Sequence, residues 1–158
     1  MMRLFLLSAL LVFMSGCAMK ELEKSQAYAI TLKTPQWKFA DTGFVREDDD
    51  TAGLEVFVAS KRVLELQISK MVCVEDEGCM SKSAFNAKYL SASYGDNLLY
   101  NLLKSRPLMG GRDLVVSDDG FEQRIFESEY DIVYIVDSHG LYFRDRENEI
   151  LIKLRKIN

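Results

Sequence analysis

The chain has 158 residues, of which 48% are hydrophobic and 28% charged, with 20 basic and 24 acidic side chains and a formal charge of −4. That length suits one ordinary domain, and the charge balance excludes a strongly basic nucleic-acid binder. Nine Gly and two Pro exclude a collagen-like segment or a long linker, and one His with three Cys leaves few parts for metal or nucleophilic chemistry.

Met1-Met2-Arg3 is a short positive start, and residues 4–14 carry no charge and a single hydroxyl, Ser8. A bilayer needs about 20 apolar residues to be spanned, so this run is too short for an anchor. A buried core helix would need polar residues at helical spacing, which the run lacks. A charged start, a short apolar stretch and small residues after it predict a secretory signal peptide over 1–16.

Met14-Ser15-Gly16-Cys17 resembles the lipobox of bacterial lipoproteins, with Met14 standing where Leu is commoner. The resemblance covers residues 1–17 only. It implies a diacylglycerol on the Cys17 thiol, cleavage between Gly16 and Cys17, and acylation of the new amine in Gram-negative bacteria. Ala18, where inner-membrane lipoproteins of enteric type often carry Asp, implies sorting to the outer membrane. Each buried methylene of such chains contributes about 0.8 kcal/mol, so two or more chains hold a protein on its membrane. Residues 17–27 are then expected as a lipidated N-terminus and polar tether, and residues 28–158 as one globular domain.

In an oxidising compartment the remaining cysteines, Cys73 and Cys79, are an even pair and predict one disulfide. Five intervening residues do not match the Cys-x-x-Cys of redox proteins, and Glu75, Asp76 and Glu77 disfavour a reactive thiolate. No further Cys or His lies close enough in sequence to complete a metal site, so no metal and no cofactor are expected.

Along the domain, residues 28–32 and 37–45 are weak strand candidates, and the acidic run from Glu47 to Asp50 reads as a solvated loop. Leu54, Val56 and Val58 share one face. Leu64, Leu66 and Ile68 alternate with polar residues, which predicts a hairpin turning at Ser60-Lys61. From 83 to 105 the period becomes helical: Ala84, Phe85, Lys88 and Tyr89 open one short helix. Ser93 and Asp96 read as a capping box for a second, with Leu98, Leu99, Leu102 and Leu103 on its face. Pro107 and Gly110-Gly111 end it. Strands over 121–127, 130–137, 141–145 and 149–157 follow as a meander, and Lys153, Arg155 and Lys156 would protect the last of these if it lay at an edge. Strands, then helices, then strands predict an α+β fold: one domain with a helical segment on an antiparallel sheet.

Asp137-Ser138-His139 holds hydrolase residue types, but adjacent residues do not normally supply triad geometry. Asp48-Asp49-Asp50 lacks the alternation of an EF-hand loop. Trp37, Phe39, Tyr130 and Tyr134 could line a groove, although aromatics at period two usually pack a core. The loop with Arg106, Leu108, Met109 and Arg112 could grip a partner with two apolar side chains between two cations. The expectation is therefore a non-catalytic binding, assembly or scaffold factor, anchored in the outer membrane, facing the periplasm, with an envelope protein as partner. A binder of a lipid, glycan or peptide is the alternative, and an enzyme is less expected.

Overall fold

The computed structural model describes residues 21–157, so the signal peptide, the lipobox and Cys17 lie outside the described residues. Eleven strands form one antiparallel sheet. The first six are β1 (Lys24–Lys33), β2 (Lys38–Glu47), β3 (Ala52–Val58), β4 (Lys61–Ile68), β5 (Val72–Val74) and β6 (Gly78–Met80). Two short helices, α1 (Lys82–Tyr89) and α2 (Leu98–Leu103), and a 3-10 turn at Met109–Gly111 follow. The chain then returns through β7 (Leu114–Ser117), β8 (Gly120–Glu127), β9 (Tyr130–Asp137), β10 (Gly140–Asp145) and β11 (Ile150–Lys156). The strand order is β6-β5-β4-β3-β2-β1-β11-β10-β9-β8-β7. Two meanders are thus joined where β1 pairs with β11, Ile30 opposite Leu154 and Leu32 opposite Ile152.

This is the α+β, antiparallel-sheet domain expected from the periodicity. Leu54, Val56, Leu64, Leu66, Ile68, Ile132, Tyr134, Ile150, Ile152 and Leu154 all face inward and are buried in one continuous core. Burying each such side chain contributes about 1.5–3 kcal/mol. The core includes Phe85 and Tyr89 of α1 and all four leucines of α2. Between β3 and β8 a flat sheet would span about 29 Å, yet the stretch from α2 to Leu108 touches both strands. The helical segment therefore lies across the inward face of the sheet, reaching from β3 to β8, and the other face of the sheet points outward.

Local chemistry explains the turns. Ala59 and Ser60 have φ of 49° and 65°, as a two-residue turn of mirror-image type requires. The hairpin thus turns one residue earlier than expected, and Lys61 already belongs to β4. Ser81 caps α1 by accepting the Ala84 N–H at 3.1 Å. Cys73 and Cys79 lie opposite each other on β5 and β6 and form the expected disulfide. On the chain-entropy account, closing so short a loop contributes about 2 kcal/mol.

Two local expectations are corrected. β1 starts at Lys24 and pairs fully with β2, with Lys24 opposite Glu47, so residues 24–27 are sheet rather than tether. Leu22 is buried as well. Ser93 does not cap α2: it sits 2.8 Å from Ser91 Oγ, and α2 begins after Asn97, whose side chain makes no capping bond. The connection is held instead by Asn86, whose Nδ2 donates to the carbonyls of Tyr94 and Gly95, both at 3.2 Å. β11 lies in the middle of the sheet, between β1 and β10, and the edges are β6 and β7, so Lys153, Arg155 and Lys156 guard no edge.

Candidate functional site

The loop after α2 is positioned by one buried side chain of the sheet. Gln123 of β8 has no solvent exposure. Its Oε1 accepts the Leu108 N–H at 2.7 Å, and its Nε2 donates to the carbonyls of Leu108 and Arg112 at 3.1 and 2.5 Å. Leu108 is accordingly buried to 0% and joins the core. It cannot grip a partner, which corrects that part of the expectation. Met109 is half-buried against the core. Arg106 lies over the Tyr100 ring at 5.7 Å, and Arg112 pairs with Glu127 at 2.6 Å. The four residues are not brought together as one exposed patch.

What the loop delivers is β7. This strand pairs with β8 on one side only, Val115 opposite Glu122 and Val116 opposite Phe121. Among the described residues no strand pairs with its other edge, whose backbone N–H and C=O groups offer a template for a further strand. Val115 and Val116 are 66% and 74% exposed, and Phe126 on the neighbouring β8 is 81% exposed. These are the three most exposed large apolar side chains among the described residues. The sequence carried a signal for them: Leu114-Val115-Val116 is a short β-favouring run between Asp113 and Asp118.

The aromatic candidates pack inward. Trp37 stacks on Tyr89 with ring centroids 4.3 Å apart, and Tyr134 lies edge-on to Phe121 and Phe143. Burial pushes the Tyr134 phenol above its ordinary range. The Tyr94 phenol is raised too, first by burial and then by its hydrogen bond to Asp145. Both hydroxyls therefore stay protonated and neutral at physiological pH.

Asp137, Ser138 and His139 are exposed at the β9–β10 turn. Ser138 Oγ and Asp137 Oδ1 both approach His139 Nδ1, at 3.2 and 3.8 Å. A triad needs the nucleophile and the orienting carboxylate on different ring nitrogens, so this arrangement is not one. Asp137 Oδ1 accepts the N–H groups of His139 and Gly140 at 2.8 and 3.0 Å, which closes the turn. Asp119 from the β7–β8 turn brings its carboxylate within 4.8 Å of the Asp137 and His139 ligand atoms, all of them exposed. No protein-family model, no curated protein and no solved structure matches this chain.

Proposed function

We propose that this chain is a bacterial envelope lipoprotein, held in the outer membrane through lipid on Cys17, with its domain facing the periplasm. Its domain works as a non-catalytic binding and assembly factor, accepting an extended segment of an envelope protein along β7. The lipobox Met14-Ser15-Gly16-Cys17 supports the anchor. The observation that carries the binding role is the free edge of β7, which displays Val115 and Val116, with Phe126 exposed on β8 just beyond its end. Strand addition to such an edge takes affinity from backbone hydrogen bonds and specificity from the apolar side chains.

A photo-crosslinking residue placed at Val116 or Phe126 in living cells tests this. One discrete protein adduct is expected from both positions, absent when the probe replaces exposed Ser128 and lost in the Cys17→Ala chain. Adducts no stronger than those from Ser128 contradict the reading. In that case a small molecule retained on the purified protein would favour a lipid, glycan or peptide binder instead.

A further inference from the structure

The strand registers place a band of cations down the middle of the outward face. One row across β10, β11, β1 and β2 reads Arg144, Leu151, Lys33, Lys38; the next reads Tyr142, Lys153, Thr31, Ala40; the next reads Gly140, Arg155, Ala29, Thr42. Further along β2, Arg46 also faces outward and pairs with Glu55 of β3 at 3.0 Å. The outward positions of these four strands thus carry six cations and no carboxylate, in a chain whose acids outnumber its bases. Outward carboxylates lie on the flanks instead, at Glu55 and Glu65 on one side and Glu122, Asp131 and Asp137 on the other. Lys33, Lys38, Arg144, Lys153 and Arg155 are exposed, and none has a carboxylate within 4.0 Å among the described residues. Lys33 and Lys38 face each other directly, an arrangement that weakens a sheet. Stability alone gives no reason for it. A shallow depression of about 310 Å³ opens in the band, rimmed by Ile135, Tyr142, Lys153, Arg155, His139 and one acid, Asp137.

The entry point of the chain lies on the same face. Gly53 stands in register with Arg46 and Gln67, both outward, and a Cβ added there would lie 3.1 Å from Leu22 Cδ1. Leu22 therefore packs on the outward face. Only residues 18–21 separate it from Cys17, a reach of at most about 18 Å.

We infer that the outward face of β10, β11, β1 and β2 is a docking face for anionic phospholipid headgroups, laying the domain against the membrane that anchors it. The inference rests on the anchored reading above for its choice of occupant. The anchor holds this face near an anionic surface, and the band supplies the complementary charge within the roughly 8 Å over which it acts at physiological salt. The edge strand β7 is left at the side, free for a protein partner.

The test uses the leaderless chain from residue 18, which retains every strand and carries no lipid, in co-sedimentation with vesicles. Vesicles of phosphatidylethanolamine with phosphatidylglycerol are expected to bind it, and vesicles of phosphatidylcholine are not. High salt should release it. The double variant Lys153→Gln/Arg155→Gln should bind about 25-fold more weakly, at about fivefold for each surface cation. The control Lys61→Gln/Lys70→Gln, with the same net charge, should bind like the parent chain. Equal binding to both vesicle types, equal loss in the two double variants, or no binding at all would overturn the proposal. Because this chain has no acyl group, such a failure leaves the Cys17 anchor standing, while loss of the anchor would be read separately from the mass of the N-terminal residue.

Discussion

Asp145→Ala is expected to lower the free energy of unfolding by about 3–5 kcal/mol, the range for removing one member of a buried, charged hydrogen-bond network. The Asp145 side chain has no solvent exposure. Its Oδ2 accepts the Tyr94 hydroxyl at 2.5 Å and Asn148 Nδ2 at 2.7 Å, and its Oδ1 accepts the N–H groups of Asp131 and Glu147, both at 3.0 Å, and of Asn148 at 3.3 Å. One carboxylate thus ties the helical segment to β10, closes the β10–β11 turn and fixes the start of β9. Alanine leaves all five donors to find other partners. Tyr94→Phe removes only one bond to a charged group and should cost less, about 1.5–3 kcal/mol. Urea denaturation of both variants checks the order. Equal midpoints for Asp145→Ala and the parent chain would show that the network does not hold the two layers together.

Gly43→Val should destabilise by about 3 kcal/mol or more, through overpacking against backbone rather than through lost contacts. Gly43 faces inward on β2, between Tyr28 and Val56. Even a Cβ there would sit 2.0 Å from the Glu55 carbonyl oxygen and 2.4 Å from Ile30 Cδ1. The Ile30 side chain can turn aside, but the Glu55 carbonyl belongs to the β3 backbone. Ala40→Val ends in the same side chain, adding two carbons instead of three, on the outward face of the same strand and should stay within about 0.5 kcal/mol of the parent. Melting curves of the two variants separate the effects; similar melts would mean that β2 and β3 do not approach as closely as described.

Both residues show what a single sequence conveys and what it withholds. The inward stripe Leu64, Leu66, Ile68 and its counterparts in β9 and β11 was legible because period two maps directly onto a half-buried sheet. The four leucines of α2 were legible for the corresponding helical reason. Cys73 and Cys79 were legible because they are the even pair left once Cys17 is set aside. Asp145 looked like an ordinary strand-ending acid, because its partner Tyr94 is 51 residues away. Gln123 hid for the same reason, and with it the burial of Leu108. β5, β6 and β7 were missed because strands of three or four residues are too short for a period to show. Of the basic band only Lys153 and Arg155 showed locally, as cations along the last strand. Lys33, Lys38, Arg144, Lys153 and Arg155 come from four strands, and they become neighbours only once β1 is known to pair with β11.

The roles proposed for the edge strand and the basic band both rest on the proposed lipid anchor at Cys17, so the most direct test is the chemical state of the N-terminal residue. Protein extracted from its own membranes should be digested and its N-terminal peptide analysed by mass spectrometry. The expected result is a chain that begins at Cys17, carrying diacylglycerol on sulfur and an acyl group on the amine, and no such species from Cys17→Ala. A peptide that begins elsewhere, or a free Cys17 thiol on protein recovered from the soluble fraction, would contradict it.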